Sequence, residues 1–112
     1  MKALSFLSLL LVGLLLVACR QHDWRELVIT VPEMHNEAAI QLVVDTVSRG
    51  VGIDRDSIVV DAGNRRVRIV YDSLLAANRN FEYLIAKAGF TANDIPADPE
   101  ARAALPPNIR VP

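Results

Sequence analysis

Cysteine is almost missing from this chain. Of 112 residues only Cys19 carries a thiol, so no internal disulfide can form and no pair of thiols can be assembled. Stability must come from an ordinary packed core. Histidine is scarce too: His22 and His35 are the only two, and both lie in the first third. There is no nucleophile elbow, no histidine-rich metal spacing and no glycine loop for phosphates, so catalysis is not expected. Aromatic residues make up 5% of the chain, with a single tryptophan. The net charge is −1, and no concentrated positive face is present, which argues against nucleic acid as a partner. There is no internal repeat and no long low-complexity stretch.

What is present begins with an apolar leader. Met1-Lys2 is a short positive start, and Ala3 to Ala18 contains no charge and ends in small residues. This is the layout of an export signal. Its last four residues, Leu16-Val17-Ala18-Cys19, resemble a bacterial lipobox, with cleavage before Cys19 and its sulfur as the attachment point for palmitate-type acyl chains. The alternatives are a plain signal peptide or an uncleaved anchor. Sixteen residues at about 1.5 Å each reach roughly 24 Å, short of the roughly 30 Å hydrocarbon layer. The 52% hydrophobic content and mean hydropathy of +0.27 are inflated by this leader. Cleavage would remove one of 12 basic residues and none of 13 acidic ones, leaving one small, weakly acidic domain. Residues 1–18 are therefore read as a lipoprotein signal, 19–25 as a lipidated tether, 26–95 as the domain and 96–112 as a C-terminal extension. Localisation follows as the cell envelope, periplasm-facing, with the outer membrane favoured because Arg20 is not an aspartate.

Along the domain, Arg25 to Val31 alternates as a strand, with Leu27, Ile29 and Val31 on one face. From Asn36 the period turns helical through Ile40, Val43, Val44 and Val47, with Asn36 as N-cap. Gly50 and Gly52 close that helix. Ser57–Asp61 and Arg66–Tyr71 read as a hairpin around Ala62-Gly63-Asn64, with Gly63 and Asn64 supplying positive φ. A second helix follows, capped by Asn78 or Asn80, buried through Phe81, Leu84, Ile85 and Ala88, and stopped at Gly89. Phe90–Asp94 reads as a short fourth strand. Asp98-Pro99-Glu100 starts a short helix that Pro106-Pro107 ends, with an extended or loose tail beyond. The expected fold is α+β: a ferredoxin-like β-α-β-β-α-β sandwich, four antiparallel strands with two helices on one face.

Three segments then carry a family resemblance. Val31-Pro32-Glu33-Met34-His35-Asn36-Glu37-Ala38-Ala39, Val70-Tyr71-Asp72 and Ile85-Ala86-Lys87-Ala88-Gly89-Phe90 together resemble the heavy-metal-associated domain of copper and mercury chaperones and metal-pumping ATPases. The tail from Thr91 to Glu100 is similar to one bacterial branch of that family. The resemblance implies a soft metal held by two cysteines in a Met-His-Cys-x-x-Cys-type loop, because copper(I) and mercury(II) prefer thiolates. Here those two positions are Asn36 and Ala39, and the further cysteines of the bacterial branch are replaced in Leu105-Pro106-Pro107-Asn108.

Without thiols, no cofactor is expected beyond copper(I) or another soft metal at low affinity through Met34 and His35, with His22 as a third donor. The competing reading packs Met34 under the loop and leaves His35 in solvent. The resemblance also implies docking through the loop and first helix, here Met34, His35, Asn36, Glu37 and Gln41. The partners expected are the membrane, through lipid on Cys19, and a protein of a metal-handling system. Arg65, Arg66 and Arg68 read as a solvated face. The outward strand positions Val28, Thr30, Arg66, Arg68 and Val70 include no aromatic for stacking RNA bases. Trp24 suits either the membrane interface or a cap on the core.

Overall fold

The computed structural model describes residues 21–111. The leader and Cys19 lie outside the described residues. Three strands form one antiparallel sheet: β1 (Trp24–Thr30), β2 (Ile53–Asp61) and β3 (Arg66–Asp72), in the order β1-β3-β2. Two helices, α1 (Glu37–Val47) and α2 (Asn78–Lys87), pack against each other, and two short ones follow, α3 (Pro99–Ala104) and α4 (Pro107–Arg110).

The alternation in β1 and β3 does what its period requires. Ile29, Val67, Ile69 and Tyr71 are buried on one face, while Val28, Arg66 and Arg68 remain exposed on the other. The helices meet that inner face with Ala39, Val43, Thr46 and Val47 from α1 and Phe81, Ile85 and Ala86 from α2. The buried stripe of α1 is rotated from the expected one, so Ile40 and Val44 are only partly covered. Leu84 and Ala88 of α2 are likewise half-buried, and Glu82 is buried in their place.

Asn36 caps α1 as expected, its Oδ1 accepting from the Ala39 amide at 2.9 Å. Four local expectations are corrected. Neither Asn78 nor Asn80 caps α2: the cap position is Ala77, with no side-chain bond. The hairpin takes its positive φ at Arg65 (54°), not at Gly63 or Asn64, and there the Arg65 guanidinium reaches back to the Pro32 carbonyl at 2.8 Å. Strand β2 begins at Ile53, ahead of Ser57, with its register broken between Asp54 and Val59. The tail is neither extended nor loose, because Pro107 opens α4.

The fourth strand is also absent. Residues 90–94 make no ladder among the described residues; Ala92 and Ile95 form an isolated bridge in a turn. Asn93 (φ 54°) takes the strand's place at the edge of β1. Its backbone amide donates to the Thr30 carbonyl at 3.0 Å, its Oδ1 accepts from the Thr30 amide at 2.9 Å, and its Nδ2 donates to the Val28 carbonyl at 3.3 Å. The same Nδ2 lies 3.2 Å from Glu82 Oε2, which explains how that carboxylate is buried. One asparagine side chain thus satisfies backbone groups that a strand would otherwise pair.

At the other end of β1 the tether is held down. Asp72 is 1% exposed, and its carboxylate accepts from the Asp23 amide (3.0 Å), the Leu74 amide (3.0 Å) and His22 Nδ1 (2.9 Å). The His22 ring stacks on Trp24 with centroids 5.1 Å apart. The Asp23 amide, the His22 ring and the Leu74 amide hold the Asp72 carboxyl below its ordinary value. A carboxyl depressed in this way binds fewer protons folded than unfolded, so its contribution is present above about pH 4 and fades as pH falls through the folded value. Asp72→Asn should therefore lower Tm at neutral pH, with the gap to the native chain closing on acidification. Thermal melts from pH 6 down to pH 2 check this; a gap independent of pH would refute the assignment.

Candidate functional site

The strand-to-helix loop after β1 is where the sequence places its chemistry, and local bonding fixes it closely. The Val31 amide donates to the Arg65 carbonyl at 2.8 Å, and the Met34 amide turns back to the Val31 carbonyl at 3.1 Å. Glu33 reaches across to the segment after α2, accepting from the Thr91 amide at 2.8 Å and the Thr91 hydroxyl at 2.6 Å. Its carboxylate is committed to holding two segments together.

Met34 is 1% exposed and belongs to the core, so the reading that packs it under the loop is the one observed. It cannot contribute to a docking surface. His35 is half-buried, so the solvent-facing reading holds only in part: its Nε2 is buried without a hydrogen-bond partner. His22 and His35 flank opposite ends of β1, whose seven residues span about 24 Å at about 3.4 Å each. The structure therefore does not bring His22 into this loop.

The two family ligand positions do other work. Ala39 is fully buried in the core, and Asn36 is committed twice. Its Oδ1 caps α1, and its Nδ2 donates to the Asn108 carbonyl at 2.6 Å. That second bond draws in the C-terminal extension. Helix α4 packs on α1, and Leu105 and Ile109 lie partly buried against the core. Arg102 links the pieces, donating to the Gly89 carbonyl at 3.0 Å and to the Arg110 carbonyl at 2.8 Å. The extension is thus part of the site, which the sequence reading missed. The available signal was Leu105 and Ile109, an i, i+4 apolar pair, with Pro107 between them at a first helical position.

The donor set does not fit a soft metal: a buried methyl, an engaged amide, a buried thioether and one imidazole nitrogen. Among the described residues no group of three or more His, Cys, Asp or Glu side chains is placed to hold an ion. Of the expected docking set, Glu37 and Gln41 are exposed on α1, with Gln41 Nε2 bonded to Asp45 Oδ1 at 2.9 Å.

No family model matches the sequence, and no curated protein matches it. Solved structures do match. One is the crystal structure of oxidized MerP from Ralstonia metallidurans CH34, at TM-score 0.59 and 18% identity, covering 63% of this chain and 96% of that one. Another is the solution structure of a copper form of a CopA variant from Bacillus subtilis, at TM-score 0.53 and 18% identity, covering 64% and 92%. At that identity the likeness is one of fold: the chain has a heavy-metal-associated-like, ferredoxin-like fold in which three of the expected four strands are formed.

Proposed function

We propose that this chain is an exported, lipid-anchored accessory module of heavy-metal-associated type that acts by protein contact and not by metal transfer or catalysis. The observation that carries this reading is Asn36. At the position where the family holds a thiolate, its side chain caps α1 and binds Asn108, so the loop is closed by the chain's own tail. The leader and the Leu16-Val17-Ala18-Cys19 string support attachment to the cell envelope on the periplasmic side. The contact surface that remains is the exposed stripe of α1 through Glu37 and Gln41, facing a protein of a metal-handling system.

Two measurements test it. The full chain in detergent, titrated with copper(I) against a competing chelator and examined by native mass spectrometry, should keep no copper; one retained ion per chain would refute the reading. Glu37→Ala with Gln41→Ala should remove in-cell cross-links formed by a photoreactive residue at position 45 while leaving Tm unchanged. Cross-links that survive the double substitution would place the contact elsewhere.

One observation favours a second reading, a periplasmic copper-binding protein using Met34 and His35. The His35 Nε2 atom is buried with no partner, which is how an unfilled ligand atom looks. A copper-dependent shift of the His35 ring resonances, absent for His22, would select it.

A further inference from the structure

Much of the molecule's exposed apolar surface gathers at the end where the tether enters. Trp24 is 51% exposed at the start of β1, Val51 69% in the α1–β2 connection, and Leu74 and Leu75 56% and 62% in the β3–α2 connection. Topology brings these three segments together. Trp24 lies opposite Asp72 in the sheet, and Ile53 opposite Tyr71. The Asp72 amide donates to the Gly52 carbonyl at 2.8 Å, and the Gly52 backbone approaches Leu75 so closely that a Cβ there would sit 3.1 Å from the Leu75 Cβ. A shallow cleft bordered by Trp24, Val51, Arg49 and Arg55 joins the same end.

We propose that this end is a membrane-contact surface: Trp24, Val51, Leu74 and Leu75 enter the bilayer interface, and Arg49 and Arg55 lie at its rim. The occupant follows from the tether. His22 is bound to Asp72, so only Arg20 and Gln21, three Cα-to-Cα steps, separate a fixed point of the domain from Cys19. Three such steps reach at most about 11 Å. The interfacial layer outside the hydrocarbon core is itself roughly 5–8 Å thick on each side. A chain acylated at Cys19 therefore cannot hold this end clear of the lipid headgroups by more than about one such layer. Four large apolar side chains exposed together mark a surface that gains by leaving water, and tryptophan favours the headgroup level. Arginine can extend its stem along apolar surface and keep its head among phosphates. Asp23 is bonded to Arg25, and Asp54 shares the cleft with the two arginines, so the attraction is interfacial and apolar, not one of net charge. The Met34–Asn36 loop and the start of α1, at the other end of β1, are thereby turned toward the aqueous side.

This inference rests on the lipid-anchor reading, and the test separates the two. The full chain with its lipid is placed in vesicles whose acyl chains carry bromine, and tryptophan fluorescence is read. Trp24, the single tryptophan, reports the tether. Leu75→Trp in a Trp24→Phe background reports the proposed surface, and Val111→Trp in the same background reports the far end. The expected result is strong quenching of Trp24 and of Leu75→Trp and none of Val111→Trp. Quenching of Trp24 alone would keep the anchor and overturn the surface. Equal quenching at all three positions would overturn the orientation. No quenching anywhere would overturn anchor and surface together.

Discussion

Asn36→Cys combined with Ala39→Cys is expected to convert a chain that yields copper(I) to a chelator into one that holds a single ion. The two positions are the N-cap and third residue of α1, and the 2.9 Å bond from the Ala39 amide to Asn36 Oδ1 shows that the cap side chain folds back over the first turn. Thiols there would converge at the positive end of a helix, which favours thiolates, and thiolates suit copper(I). The expected gain is at least about four orders of magnitude in affinity, or roughly 5.5 kcal/mol at about 1.4 kcal/mol per decade. It carries a structural cost. Losing the Asn36 cap removes about 1 kcal/mol, and the bond to Asn108 goes with it, so α4 should loosen. Hydrogen exchange of the Ile109 and Arg110 amides, which now donate to the Pro106 carbonyl, should quicken in the apo double variant. A folded double variant that still gave up all its copper would show that the loop cannot open enough to expose both sulfurs. The barrier to holding copper(I) would then lie in the closed backbone as well as in the absent thiols.

Phe81→Ala should produce the largest loss of stability, about 3–5 kcal/mol, seen as a fall in Tm on the order of 20 °C. Phe81 is fully buried and packs against Tyr71 with ring centroids 5.2 Å apart. Its other neighbour is a glycine. A Cβ on Gly50 would lie 2.5 Å from Phe81 Cε1 and 2.8 Å from Cδ1, too close to be accepted without moving the ring. Gly50→Ala alone should therefore destabilise, at about 1–3 kcal/mol for overpacking less a few tenths for the stiffer unfolded chain. In the Phe81→Ala background the ring clash is gone and only the 3.2 Å approach to the Val47 carbonyl remains, so Gly50→Ala should cost much less there. Denaturant titration of the four chains gives the coupling directly. Additive effects would mean that the Val47 carbonyl, not the ring, is what excludes a side chain at Gly50.

The sequence by itself determined most of the helices and strands and the absence of a thiol pair at the loop. The alternation of β1 and β3, the Asn36 cap and the Asp98-Pro99 helix start are local signals, each set by neighbours within a few residues. The loss of thiols is a matter of composition: no fold can supply a thiolate that Asn36 and Ala39 do not carry. What only the tertiary structure decided involves partners far apart in the chain. Asn93 meets Thr30 across 63 positions and stands in for a strand; Asn108 meets Asn36 across 72 and closes the loop; Asp72 meets His22 across 50 and pins the tether. Each is a single polar group meeting another that lies far away in the chain. Such pairs have no period, so no pattern along the chain announces them. The same reason separates the two readings of His35. The His35 side chain is half-buried with its Nε2 shielded, and no period along the chain sets that. The sequence could name the loop as the place of interest, but only the packing of α4 and Glu33 around it decided that the loop is closed.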